Sequence, residues 1–123
     1  MIHEMNLHED PFILINAGYK TIEMRLYDEK RKKISVGDII EFTNNKTLEK
    51  IKAEVVALFT FKNFEELYSY FDKEKLGYFP LEEADPSDMN TYYSNEQINK
   101  YGVVAIEIKL IKDSLWKELQ LFR

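Results

Sequence analysis

The sequence predicts an α+β fold, a small mixed β-barrel with peripheral helices. Three observations lead there. Five segments read as strands, either by alternation or as β-branched apolar runs, and short connections join most of them. Three segments that open on helix-start signals are inserted among the strands. Strand and helix do not alternate as βαβ units, which argues against a doubly wound parallel sheet. The chain has 123 residues, the size of one compact domain spanning 1–123.

Residues 2 to 7 read as the first strand. Asp10-Pro11 opens a short helix, with Asp10 as N-cap and Pro11 at the first helical position. Phe12, Ile13 and Ile15 supply its apolar face, and Gly18 stops it. Residues 20 to 27 alternate as a strand, with Ile22, Met24 and Leu26 on one side and Thr21, Glu23, Arg25 and Tyr27 on the other. The stretch from Ile34 to Asp38 is a turn into the strand Ile39–Phe42, and Asn44-Asn45-Lys46 is a hairpin-like connection. Residues 48 to 61 form a long strand in which Ile51, Ala53, Val55 and Ala57 alternate.

Asn63-Phe64-Glu65-Glu66 is a capping box, and its helix runs to about Tyr70 or Phe71. The segment from Asp72 to Met89 is irregular, with turns at Gly77, Pro80 and Pro86. Ser94-Asn95-Glu96-Gln97 is a second capping box, whose helix stops near Tyr101-Gly102. Val103 to Leu110 is a β-branched run and a strand. The tail from Asp113 to Arg123 reads as a strand or a short helix, with strand favoured, and Trp116 packs on the barrel.

Composition narrows the function. At 45% hydrophobic the chain can bury a core, and with 14% aromatic residues much of that core is aromatic. The absence of cysteine excludes a disulfide framework, a thiolate zinc site and a cysteine nucleophile, and it suits a reducing cytoplasm. No apolar run approaches the roughly 20 residues of a membrane span, and the N-terminus is not a signal peptide. His3 and His8, the only histidines, suggest neither a metal site nor a histidine triad. No P-loop or dinucleotide fingerprint appears, and no cofactor is expected. The net charge of −5 argues against tight nonspecific binding to nucleic acid. The charge is uneven, however. Gly18 to Val36 holds six basic and three acidic residues, whereas Leu81 to Gln97 holds five acids and no base.

The densest chemistry lies in Gly18-Tyr19-Lys20-Thr21-Ile22-Glu23-Met24-Arg25. This segment resembles the G-x-K-x-x-E-x-R signature of ASCH domains. Gly37-Asp38 before an apolar strand is similar to a second landmark of that family, and Tyr101 to Glu107 resembles its final core strand. The resemblance covers nearly the whole chain. It implies the PUA-like barrel and a cleft lined by Lys20, Glu23 and Arg25. It also implies RNA or a nucleotide-like molecule as partner, since the family is usually proposed to bind RNA. Some members are hydrolases of acylated cytidine nucleosides, and at least one is reported as a ribonuclease. The amidohydrolases carry a threonine where this chain has Glu23. The motif lysine therefore carries over to Lys20 and the threonine does not.

Each candidate has a plain alternative. Lys20 either holds a phosphate or carbonyl oxygen, acting as a base if desolvated, or is a surface lysine at a strand start. Glu23 and Arg25 either line a cleft, where Glu23 accepts from a base amino group and Arg25 grips a phosphate, or form a cross-strand ion pair of small value. Strand parity sets Lys20 against Glu23. The two share a cleft only if the backbone is irregular near Thr21 or if Lys20 precedes the first paired residue. Thr21 counts with them as a ligand-binding position. In the run Lys30 to Lys33, Arg31 is the candidate for a phosphate at the cleft edge, and a solvated loop is the alternative. Tyr92 or Tyr93 is a stacking platform or core. Ser94 is a helix cap, lacking a histidine to activate it.

Three functions follow. One is a module that binds RNA or a nucleotide. Another is a small hydrolase acting on a modified nucleoside or RNA, with Lys20 and Glu23 catalytic. The last is an adaptor whose motif is only structural. Removing the side chain of Lys20 or Arg25 is expected to abolish ligand binding and to leave folding near wild type.

Overall fold

A computed structural model describes residues 1–112. The expectations for the tail and for Trp116 therefore lie outside the described residues. The elements run β1 (Ile2–Leu7), α1 (Glu9–Asn16), β2 (Ile22–Leu26), a 3-10 turn (Arg31–Lys33), β3 (Ile39–Asn44), β4 (Lys50–Phe61), α2 (Phe64–Tyr70), a second 3-10 turn (Pro86–Thr91), α3 (Asn95–Tyr101) and β5 (Val103–Ile111). The strands form one mixed sheet in the order β1-β3-β4-β5-β2. Only β1 and β3 pair in parallel. The sheet curls into a half-barrel with the helices at its periphery, an α+β architecture.

Two apolar clusters hold this sheet. The first joins β1, α1, β3 and β4 through Met5, Leu7, Phe12, Ile15, Ile40, Phe42, Ala53 and Val55, with Val104, Ile106 and Ile108 from β5. The second joins Ile22, Met24 and Leu26 of β2 to Phe64 and Leu67 of α2, Ile98 of α3, and Val103 and Ala105 of β5. Even and odd residues of β5 thus enter opposite clusters. A strand buried on both faces reads as a continuous apolar run, which is why Val103-Val104-Ala105-Ile106 shows no alternation.

The structure corrects the sequence reading in four places. Helix α1 begins at Glu9 with His8 as N-cap, so Asp10 is not the cap but lies in the first turn beside Glu9. Both carboxylates suit the positive end of the helix dipole there. Its buried face is Phe12 and Ile15, while Ile13 is exposed. In β4 the register slips between Val55 and Ala57. The extra residue reverses the facing, so Leu58 rather than Ala57 packs on the first cluster and Phe59 and Phe61 turn to the second. At α2 Asn63 caps the Glu66 amide, but Glu66 reaches back to the Lys62 amide, one residue beyond a capping box. The box at Ser94 and Gln97 is complete.

Gly102 ends α3 at φ 69° and ψ −172°, and a Cβ there would lie 3.0 Å from the Phe61 carbonyl oxygen. Only glycine allows both this backbone conformation and that approach.

Candidate functional site

Strand β2 begins at Ile22, and Lys20 precedes it. The amides of Thr21 and Ile22 both donate to the Lys75 carbonyl, while the Lys20 amide donates to Leu14 at the end of α1. Lys20 is therefore outside the β2 alternation. Its side chain turns the same way as Glu23, and Nζ lies 3.5 Å from Glu23 Oε1. Nζ also donates to the Leu76 carbonyl at 3.0 Å. The parity conflict is resolved by the second of the two routes the sequence allowed.

Glu23 is the hub. Its Oε1 also accepts the Met24 amide at 3.1 Å. Its Oε2 accepts Nε and Nη2 of Arg25 at 3.1 and 2.9 Å. Arg25 Nη2 reaches further and donates to the Asn6 carbonyl of β1 at 2.9 Å. Among the described residues, strands β1 and β2 are the two edges of the sheet and share no ladder. The Glu23–Arg25 pair therefore stands where backbone pairing is missing and clasps the seam of the half-barrel. Lys20 is 7% exposed and Glu23 5%.

Burial pushes the Lys20 ammonium below its usual pKa, and the neighbouring Glu23 carboxylate opposes that shift. For Glu23, burial alone would favour the neutral acid. The charges of Arg25 and Lys20 and the hydrogen bonds outweigh it, so the carboxyl sits below the usual range. Glu23 is thus a fixed anion between two cations.

This trio lines a cleft of ≈ 850 Å³ that opens along the seam. Of the other sequence candidates, Tyr92 and Tyr93 line it as well, but they differ. Tyr93 stacks on Phe64 of the core at 6.1 Å. Tyr92 is 51% exposed at the rim and lies 5.6 Å from the His8 ring. Thr21 and Arg31 do not line the cleft. Thr21 is engaged through its backbone with Lys75 and Ile108. Arg31 is turned aside by Asp28, which accepts from its amide and from Nη1. Of the rest of the basic run, Lys32 pairs with Glu29, and neither it nor Lys30 nor Lys33 reaches the cleft.

Several cleft residues carry no sequence signal. In the irregular segment, Tyr78 donates to Asp88 at 2.8 Å and meets the Tyr68 hydroxyl at 2.8 Å. Burial raises both phenols, that of Tyr68 to about 12. Both therefore remain protonated donors in the cleft wall at neutral pH. Gly77 has φ +106°, and a Cβ on it would meet Lys20 Cδ at 3.2 Å. Its bare Cα makes room for the lysine stem. We expect Gly77→Ala to cost about 1–3 kcal/mol through the left-handed backbone, with the largest chemical-shift changes at Lys20 and Glu23. A variant with wild-type shifts at both would show that Gly77 does not seat Lys20. Among the described residues no cluster of three or more His, Asp or Glu could hold a metal ion. Among the same residues no helix is long and apolar enough to cross a membrane.

The ASCH domain profile matches residues 5–112. The chain belongs to the ASCH domain family. Among solved structures, this ASCH domain resembles the crystal structure of hypothetical protein PH0355, with TM-score 0.79 and 38% identity over 90% of this chain and 100% of that one. It also resembles the solution structure of protein PF0455 from Pyrococcus furiosus, with TM-score 0.67 and 37% identity over 91% and 99% of the two chains. A mutant of ZmASCH from Zymomonas mobilis shares the fold, with TM-score 0.57 and 15% identity over 98% and 80%. No curated protein matches the chain. In this ASCH domain the lysine, glutamate and arginine of the G-x-K-x-x-E-x-R segment are the three side chains that converge at the seam.

Proposed function

We propose that this ASCH domain binds single-stranded RNA, or a nucleotide-like ligand, with an anionic group seated above Lys20 and Arg25. One observation carries the reading: two cations share one carboxylate at the base of a recess, a local surplus of one positive charge at its floor, while Asp10, Glu82 and Asp88 in the walls confine an anion to that floor. Such charge is felt more strongly there than on an open surface. Arg25 Nη1 makes no hydrogen bond among the described residues and keeps its two donors for a phosphate. The family is generally thought to bind RNA, which agrees. The chain's net charge of −5 favours a short unpaired strand gripped locally over a long duplex.

Salt titration tests this. Affinity for a ten-nucleotide unpaired RNA is expected to fall with salt at a log–log slope between about −0.7 and −1.4, the signature of one or two phosphates neutralised on a single strand. Affinity that ignores salt would overturn the reading.

Hydrolysis of a modified nucleoside or RNA is the second reading, and the lowered pKa of Lys20 favours it. Glu23 has donors on both oxygens and is held ionised, so Lys20 is the group left to move a proton. Turnover of an acylated nucleoside that disappears in Lys20→Met would support it.

A further inference from the structure

Helix α1 forms one wall of the cleft, contributing Asp10, Pro11, Ile13 and Leu14 to its lining. An aromatic pair stands at each end of this wall. At the N-terminal end the exposed His8 ring lies 5.6 Å from Tyr92. At the other end Tyr19, which follows the helix and binds Leu14 through its amide, lies 5.2 Å from Phe79. Tyr92 and Phe79 are 51% and 49% exposed, and both line the cleft. Half-exposed rings that line a groove offer their faces to a ligand. These two are also held in place. The Tyr19 hydroxyl donates to the Tyr78 carbonyl at 2.7 Å, beside Phe79, and the Tyr92 amide donates to Met89, which is buried in the second cluster.

The spacing of the pairs decides what fits. Helix α1 has eight residues, so it is roughly 12 Å long at 1.5 Å per residue. Bases stacked along one strand are only about 3.4 Å apart. Two bases stacked on each other cannot reach both aromatic pairs. Two bases splayed apart can, and their sugar–phosphate link then crosses the floor where Lys20 and Arg25 lie. The volume agrees, since ≈ 850 Å³ is near the top of the range of about 300–1,000 Å³ for ligand sites.

Resting on the RNA-binding reading above, we propose that the cleft takes at least two splayed, unpaired nucleotides, one base against Tyr92 and His8 and the other against Phe79, which Tyr19 backs. The ligand is a segment of a strand, and a mononucleotide fills only one end. Stacking on aromatic faces makes the grip tolerant of sequence.

Fluorescence anisotropy on the full chain tests this with three ligands: a ten-nucleotide unpaired RNA, a dinucleotide and a nucleoside monophosphate. The proteins are wild type, Phe79→Leu, Tyr92→Leu and the double variant, all checked by thermal melting. Each single change is expected to weaken binding of the oligonucleotide and the dinucleotide about tenfold and the double change about a hundredfold, as for the loss of one and two stacked bases. The monophosphate is expected to respond to one of the two changes at most and to bind more weakly than the dinucleotide. The inference is overturned if wild type binds RNA and Phe79→Leu is neutral, or if the monophosphate binds as tightly as the dinucleotide. In either case binding to the floor would stand. A wild-type protein that binds none of the three overturns the RNA-binding reading itself.

Discussion

Replacing Glu23 by alanine is expected to destabilise the fold by about 3–5 kcal/mol, the usual effect of removing one partner from a buried ion pair. In a domain of this size that lowers the melting temperature by roughly 10–20 °C. The carboxylate is 5% exposed and is the shared counterion of Lys20 and Arg25. Without it two cations remain at the seam with nothing between them, and the Met24 amide loses its acceptor. Glu23→Gln keeps the shape and one acceptor oxygen but loses the charge, so an intermediate loss is expected. Adding Lys20→Met to Glu23→Gln removes one stranded cation and should return part of that loss as a coupling of about 0.5–3 kcal/mol. Denaturant unfolding of the four proteins measures the cycle. A Glu23→Ala protein that unfolds with wild type would mean that the carboxylate does not bind the trio together.

The same residue sets a pH dependence. The folded pKa of Glu23 lies below its ordinary value of 4.5. Its contribution is therefore complete above pH 4.5 and lost as pH falls through the folded value. Lys20 is also lowered, from 10.5. Between its folded pKa and 10.5 the unfolded chain holds the extra proton, so stability rises with pH there too. In Glu23→Ala the acid-side loss assigned to this carboxyl should vanish, which a comparison of unfolding curves at acid and neutral pH would reveal.

How far these features are written in the sequence depends on the range of the interaction that fixes them. Alternation at Ile22, Met24 and Leu26, the apolar run from Val103 and the Ser94–Gln97 box are local patterns, and each becomes the element it predicts. The convergence of Lys20 with Glu23 was legible as a conflict of strand parity, because a regular strand forbids it. What releases Lys20 from the strand is the Lys75 carbonyl, which takes the Thr21 and Ile22 amides from more than fifty residues away. No local pattern encodes that. The slip at Val56 is similar: it is set by how β4 meets β5, and Ile51-Lys52-Ala53-Glu54-Val55 alternates smoothly up to it. The pairs Tyr92–His8 and Phe79–Tyr19 join residues 84 and 60 positions apart, so the segment from Asp72 could be read as irregular but not as cleft wall. Arg31, which lies off the cleft, is the converse case. A basic run draws attention by its charge, while the Asp28 that neutralises its best member sits three residues earlier.

Replacing Arg25 by alanine is expected to open the seam and to abolish the proposed RNA binding together. The sequence alone favoured near-wild-type folding for this change, but the burial of the trio argues otherwise. Arg25 is the one side chain seen to hydrogen-bond both edges among the described residues, with Nε and Nη2 on Glu23 of β2 and Nη2 on the Asn6 carbonyl of β1. Losing charge-assisted bonds to both is expected to cost about 3 kcal/mol. The cost should be local, because β1 keeps its ladder with β3 while its other edge gains nothing. Hydrogen exchange should therefore quicken in Ile2–Leu7 and stay slow in the central β4–β5 ladder. Arg25→Lys separates the two roles. A lysine keeps the positive charge, but its single nitrogen cannot span both strands with the planar fork of a guanidinium. It should restore much of the salt-dependent attraction while β1 still exchanges fast. If Arg25→Ala leaves β1 as protected as wild type, the clasp is not what closes the half-barrel, and any loss of binding belongs to the charge alone.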